Sequence, residues 1–100
     1  MSREDAILNH SAEVVKTACL AAGKALKLTL KSEKPSLLFY GGTFKYSESW
    51  IRIEIEAIDS NSSKIRYSAD NPSNIIGNPW KKLLRNFKEE LSRRLDTSRS

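Results

Sequence analysis

The stretch Trp50-Ile51-Arg52-Ile53-Glu54-Ile55-Glu56-Ala57-Ile58 decides the fold. Ile51, Ile53, Ile55 and Ala57 alternate with Arg52, Glu54 and Glu56, a two-residue period that a helix scatters around its circumference and a strand sorts onto opposite faces. One face is therefore buried and the other wet. Asp59-Ser60-Asn61-Ser62-Ser63 follows, with side chains that bond their own backbone in turns. From Lys64 to Ala69 the alternation resumes, Ile65, Tyr67 and Ala69 against Lys64, Arg66 and Ser68, and predicts an antiparallel hairpin.

Toward the N-terminus, Leu37 to about Tyr46 reads as another strand, apolar on both parities, with Gly41-Gly42 taken as a bulge in preference to a hairpin turn. Glu33-Lys34-Pro35-Ser36 supplies a turn before it. Leu26, Leu28 and Leu30 alternate with Lys27, Thr29 and Lys31 in a further half-buried strand. Residues 11–25 read as a helix capped by Ser11, with a small apolar face of Val14, Val15, Ala18, Cys19, Ala21, Ala22 and Ala25, stopped near Gly23. Beyond the loop at residues 70–78, Asn78-Pro79 opens a second helix that runs to about Leu95. Trp80, Leu83, Leu84, Phe87, Leu91 and Leu95 form its apolar stripe, and Lys81, Lys82, Arg85 and Lys88 project from the other side. Glu89 with Arg93, and Glu90 with Arg94, are favourable four-apart pairs, and residues 96–100 read as a frayed tail.

The expected fold is α+β: helix, four-stranded antiparallel meander, helix, with both helices on one sheet face. At 100 residues the chain is a single domain, with an ordered core expected over residues 11–95. One cysteine, Cys19, excludes an intramolecular disulfide, Glu4 and Asp5 stand where a secretory signal needs a basic start, and no 18-residue apolar run occurs. These features predict a cytoplasmic protein with no membrane contact. Of the net charge of +5, residues 1–78 supply 10 basic and 9 acidic groups and residues 79–100 supply 7 and 3, so the excess lies in the last helix.

The segments Ser49-Trp50-Ile51-Arg52-Ile53-Glu54-Ile55 and Gly77-Asn78-Pro79-Trp80 resemble those of a group of short bacterial α-β4-α proteins, over about residues 11–95. Ile51 departs from the pattern, which has Gly after Ser-Trp. The group carries no assigned activity, so the resemblance implies a fold and no functional residue.

No catalytic or cofactor signature is present. His10 is the single histidine, and no metal site is expected from one imidazole. Cys19 sits on the apolar helix face, where a thiol behaves as a small hydrophobe. Glu54 and Glu56 share a strand face, but Arg52, Lys64 and Arg66 beside them point to a charge ladder and not an acid–base pair. Gly41-Gly42-Thr43 lacks the spacing and following Lys of a phosphate loop. The function expected is therefore binding. The leading expectation is a protein partner or a homodimer on the open sheet face, through Leu38, Tyr40, Phe44 and Tyr46, or through Leu37 and Phe39 where the other parity of that strand faces away from the helices. A second is nucleic acid, through Lys81, Lys82, Arg85 and Lys88 and the open face, where aromatics among Lys27, Lys31 and Arg52 would stack bases. A third is a small ligand in a groove between helices and sheet lined by Trp50, Tyr67, Trp80 and Phe87, residues that otherwise fill the core.

Overall fold

The structure is a computed structural model and describes residues 2–42, 46–72 and 77–99. Its elements are β1 (Ser2–Leu8), α1 (Ala12–Ala25), β2 (Thr29–Ser32), β3 (Leu37–Tyr40), β4 (Trp50–Asp59), β5 (Ser62–Asp70) and α2 (Pro79–Arg99). The strands form one antiparallel sheet in the order β1-β5-β4-β3-β2. The α+β class and the meander from β2 to β5 are as expected. The strand count is corrected from four to five, because the chain opens on a strand that lies against β5.

That first strand, Ser2-Arg3-Glu4-Asp5-Ala6-Ile7-Leu8, has three consecutive charges and no alternation. Pairing across the chain, from Ser2↔Ala69 to Leu8↔Ser63, overrides its weak local preference. Charge is tolerated there because β1 is an edge strand.

The hairpin of β4 and β5 follows the parity read from the sequence, in register from Trp50↔Asp70 to Glu56↔Lys64, but burial fades toward its tip, where Ile55 is half-buried and Ala57, expected on the buried face, is exposed. Ile51, Ile53, Ile65, Tyr67 and Ala69 are buried on one face, while Arg52, Glu54 and Glu56 are exposed on the other. Leu37 and Phe39 of β3 join the buried set, as do Val15, Ala18, Cys19 and Ala22 of α1 and Leu83, Leu84, Phe87, Leu91 and Leu95 of α2. This is one core, so both helices cover the same face. The Phe39 and Phe87 rings meet at its centre, 5.6 Å between centroids.

Ser11 caps α1, its Oγ accepting from the Val14 N–H at 3.2 Å. Gly23 does not stop the helix: it is buried in the last turn, and the left-handed residue is Lys27, with φ of 60°. The helix ends at Ala25, as expected, with Leu26 as its C-cap, and β2 begins only at Thr29. Leu30, expected on the buried face of that strand, is 39% exposed at the sheet edge. The strand begun at Leu37 ends at Tyr40, well short of Tyr46. Gly41 is not in a bulge; its N–H closes the following loop on the Ser49 carbonyl at 2.8 Å, and Gly42 turns with φ of 74°. At the other end, α2 runs through the expected tail to Arg99.

Gly23 lets α1 lie directly on β3, since a Cβ there would stand 2.3 Å from Cε1 of Phe39. Gly23→Ala is expected to destabilise the fold by about 1–3 kcal/mol through overpacking, against a helix-propensity gain of about 1 kcal/mol. A lower urea midpoint at unchanged m-value checks this.

Candidate functional site

Because α1 and α2 share one face, the opposite face of the sheet is open. On it, Leu38 stands opposite Arg52 and Tyr40 opposite Trp50 in the pairing of β3 with β4. Lys31, beside the irregularity in β2, places its Nζ 5.4 Å from the centre of the Tyr40 ring. These five side chains line a shallow hollow of 330 Å³. Neither Lys31 nor Arg52 has a carboxylate within 4 Å among the described residues. The Tyr40 hydroxyl donates to Oε1 of Glu48 at 3.5 Å, and desolvation, then the Glu48 charge, pushes its pKa up.

The expected interaction surface is thus kept in part. Leu38 and Tyr40 lie on the open face, and Phe44 falls outside the described residues. Tyr46 is a correction: it is 1% exposed, packed on Gly41, with its hydroxyl accepting from Nδ2 of Asn86 at 3.2 Å. Its loop turns it inward under the sheet end, where the expected continuous strand would have turned it out. Trp50 is a second correction. It belongs to the open face, so the four rings expected to line a helix–sheet groove do not meet; Tyr67 and Phe87 fill the core and Trp80 packs on its rim.

The strand missing from the expectation reorganises the charges. Asp5 of β1 lies against Arg66, with Nε to Oδ1 at 2.9 Å, and against Lys64 at 3.8 Å, while Arg66 also reaches Glu54 at 3.7 Å. Glu54 is thus tied into a charge ladder, as the flanking cations implied. On the helix side Glu4 takes Nζ of Lys88 at 2.5 Å, which removes Lys88 from the cationic strip of α2. Lys81, Lys82 and Arg85 remain exposed, with no carboxylate within 4 Å among the described residues. Lys81 sits 5.7 Å from the centre of the Trp80 ring.

Topology sorts these charges along the molecule, which measures 42 × 21 × 20 Å. One end is the hairpin tip between β4 and β5, where the His10 carbonyl accepts from Oγ of Ser63 and α1 begins. The other end holds Tyr40, Trp50, the end of β5, the end of α1 and the start of α2. Lys16, Lys64, Arg66, Arg93 and Arg94 are all ion-paired away from that second end. At it, Lys31, Arg52, Lys81, Lys82 and Arg85 are not.

A larger concavity lies elsewhere, a groove of 740 Å³ between α1 and α2 floored by Val14, Ala18 and Ala21. Its arginines, Arg93 and Arg94, are both drawn onto the nearly buried Glu90. His10 lies at its margin with no second imidazole, and among the described residues no cluster of three or more His, Cys, Asp or Glu could hold a metal. Cys19 is fully buried, and desolvation pushes its thiol pKa up to about 12. No helix among the described residues is long and apolar enough to cross a membrane.

The chain matches no protein-family model, no curated protein and no solved structure. The cluster that sequence reasoning missed is the Tyr40–Trp50 pair, and its signal was present: Trp50 has the same parity as Arg52 and Glu54.

Two outcomes follow from these environments. The Arg66 hydrogen bond, chiefly, holds the Asp5 carboxyl below the usual carboxylate range, with the Arg66, Lys64 and Arg3 charges adding to it and desolvation opposing it. A depressed pKa contributes stability that is complete above the unfolded value and is lost as pH falls through the folded one. Asp5→Asn is therefore expected to lower the urea midpoint at neutral pH, and the difference from the parent should shrink below about pH 4. A thiol as buried as Cys19 should react with an aromatic disulfide reagent at about pH 8 only as fast as the fold opens, and promptly in denaturant.

Proposed function

We propose that this protein is a non-catalytic binding module for nucleic acid, engaged by its basic end. The observation that supports the reading is the sorting of charge: Lys31, Arg52, Lys81, Lys82 and Arg85 have no carboxylate within 4 Å among the described residues and share one end of a molecule 42 Å long. The screening length at physiological ionic strength is about 8 Å, so a polyanion meets that end and not the average charge of the whole molecule. Phosphates neutralised there release condensed counterions, which rewards binding without any sequence readout.

The cationic strip of the sequence reading is narrowed by this geometry. Lys88 is already paired with Glu4, and the open-face cations Lys31 and Arg52 take its place beside Lys81, Lys82 and Arg85. The rival reading, a homodimer or protein partner on the open face, keeps Leu38 and Tyr40 but loses the apolar area of the buried Tyr46. What remains is a small patch between two cations, which favours an anionic occupant.

The test is binding of a mixed-sequence single-stranded oligonucleotide across a salt series, followed by sedimentation and anisotropy. With about 0.7 counterions released per phosphate contact on a single strand, five contacts give a slope of log K against log salt near about −3.5. Lys81→Glu/Lys82→Glu/Arg85→Glu should weaken binding and reduce that slope by about 2. No binding at low salt, or binding indifferent to both salt and the charge reversal, overturns the reading. A concentration-dependent dimer that ignores the oligonucleotide assigns the open face to a second copy instead.

A further inference from the structure

We infer that the Tyr40–Trp50 pair is a stacking platform for unpaired bases, so that the basic end selects single-stranded over duplex nucleic acid. This inference rests on the nucleic-acid reading above and specifies its ligand. Phosphate attraction alone gives a single strand no advantage, since the duplex has the higher charge density; a surface that holds unpaired bases does.

Tyr40 and Trp50 are direct cross-strand partners on the open face, which places their Cβ atoms about 4.5–5.5 Å apart on the same side of the sheet. Both are half-buried, lining the hollow with Leu38, and no helix crosses above them. The core already has its aromatics in Phe39, Tyr46, Tyr67 and Phe87, so this pair contributes nothing to it. The bases of a duplex are stacked on one another and closed to such rings, whereas those of a single strand are free to lie on them.

The charges around the pair orient the strand. Lys31 and Arg52 stand on the Leu38 side, with Lys31 at 5.4 Å from the Tyr40 ring centre. On the far side, Glu48 accepts from the Tyr40 hydroxyl and Asp70 stands opposite Trp50. The Glu48 carboxylate repels the phosphate backbone, so it runs along Lys31 and Arg52 while the bases turn over the rings.

The test uses the full chain with Trp80→Phe, leaving Trp50 as the sole tryptophan, and titrates it with oligo-dT, with a duplex of equal length and with inorganic polyphosphate. Expected are quenching of Trp50 emission by oligo-dT alone and at least about tenfold tighter binding of oligo-dT than of duplex at the same salt. Trp50→Leu, which keeps an apolar side chain without a π face, should erase that preference and leave the salt-dependent residue, with an unchanged unfolding midpoint excluding misfolding. Binding of oligo-dT without quenching, equal affinity for strand and duplex, or a preference that survives Trp50→Leu overturns this inference and leaves the nucleic-acid reading standing. Failure of all three polyanions to bind overturns both. A Trp50 emission that shifts with protein concentration alone overturns the platform in favour of contact between copies.

Discussion

The ladder between β4 and β5 is the constraint on which the rest of the molecule depends. Side chains in a strand alternate strictly, so a slip of one residue would exchange every side chain of the hairpin between core and water. With Ile51 and Ile53 opposite Ala69 and Tyr67, one face is apolar across both strands, and that face decides where α1 and α2 must lie. It also decides what they leave uncovered. Trp50, Arg52, Leu38 and Tyr40 are on the open face because the opposite parity, through Ile51 and Phe39, is held in the core.

β1 completes the structure in a different manner, by charge and backbone pairing more than by burial. It pairs along β5, away from the chain neighbours that a local reading considers, and brings Asp5 to Arg66 and Glu4 to Lys88. Surface pairs of this kind contribute little to stability, because solvent screens them. Their larger consequence is for the field around the molecule: they neutralise cations along the middle and the hairpin end of the sheet. Lys31 and Arg52 on one face and Lys81, Lys82 and Arg85 on the other, without a carboxylate within 4 Å among the described residues, stand together at the opposite end.

What could be read from the chain alone follows from period. The alternation in Trp50–Ile58 and Lys64–Ala69 and the apolar stripe of Trp80 to Leu95 are strong local signals, and those elements stand where they were expected. β1 was illegible because Arg3-Glu4-Asp5 opposes strand formation locally and only β5 overrides it. The segment from Leu26 to Leu30 has the period of a strand, yet its first residues close α1 through the left-handed Lys27. Tyr46 could not be placed either, since the loop after Gly41 reverses its direction by hydrogen bonds from Gly41 to Ser49 and from Ser49 to Tyr46. For the site, Tyr40 and Leu38 were legible as an ambiguity of parity, and the Tyr40↔Trp50 register is what resolved it.

The two helices treat their own dipoles differently, and the difference falls at the basic end. α1 follows the electrostatic rule, with Ser11 as cap, Glu13 in its first turn and Lys24 in its last. α2 has no acid in its first turn and carries Lys81 and Lys82 there, at the end whose partial charge is already positive. Misplaced charges of this kind cost about 0.3–1 kcal/mol each, and Glu at either position would be the stabilising choice. A chain that satisfies a local rule in one helix and breaks it in another tends to do so where function demands it. The break in α2 stands at the same end as Lys31 and Arg52, so the positive potential there is built from the helix dipole and the side chains together, and an anionic ligand would relieve both.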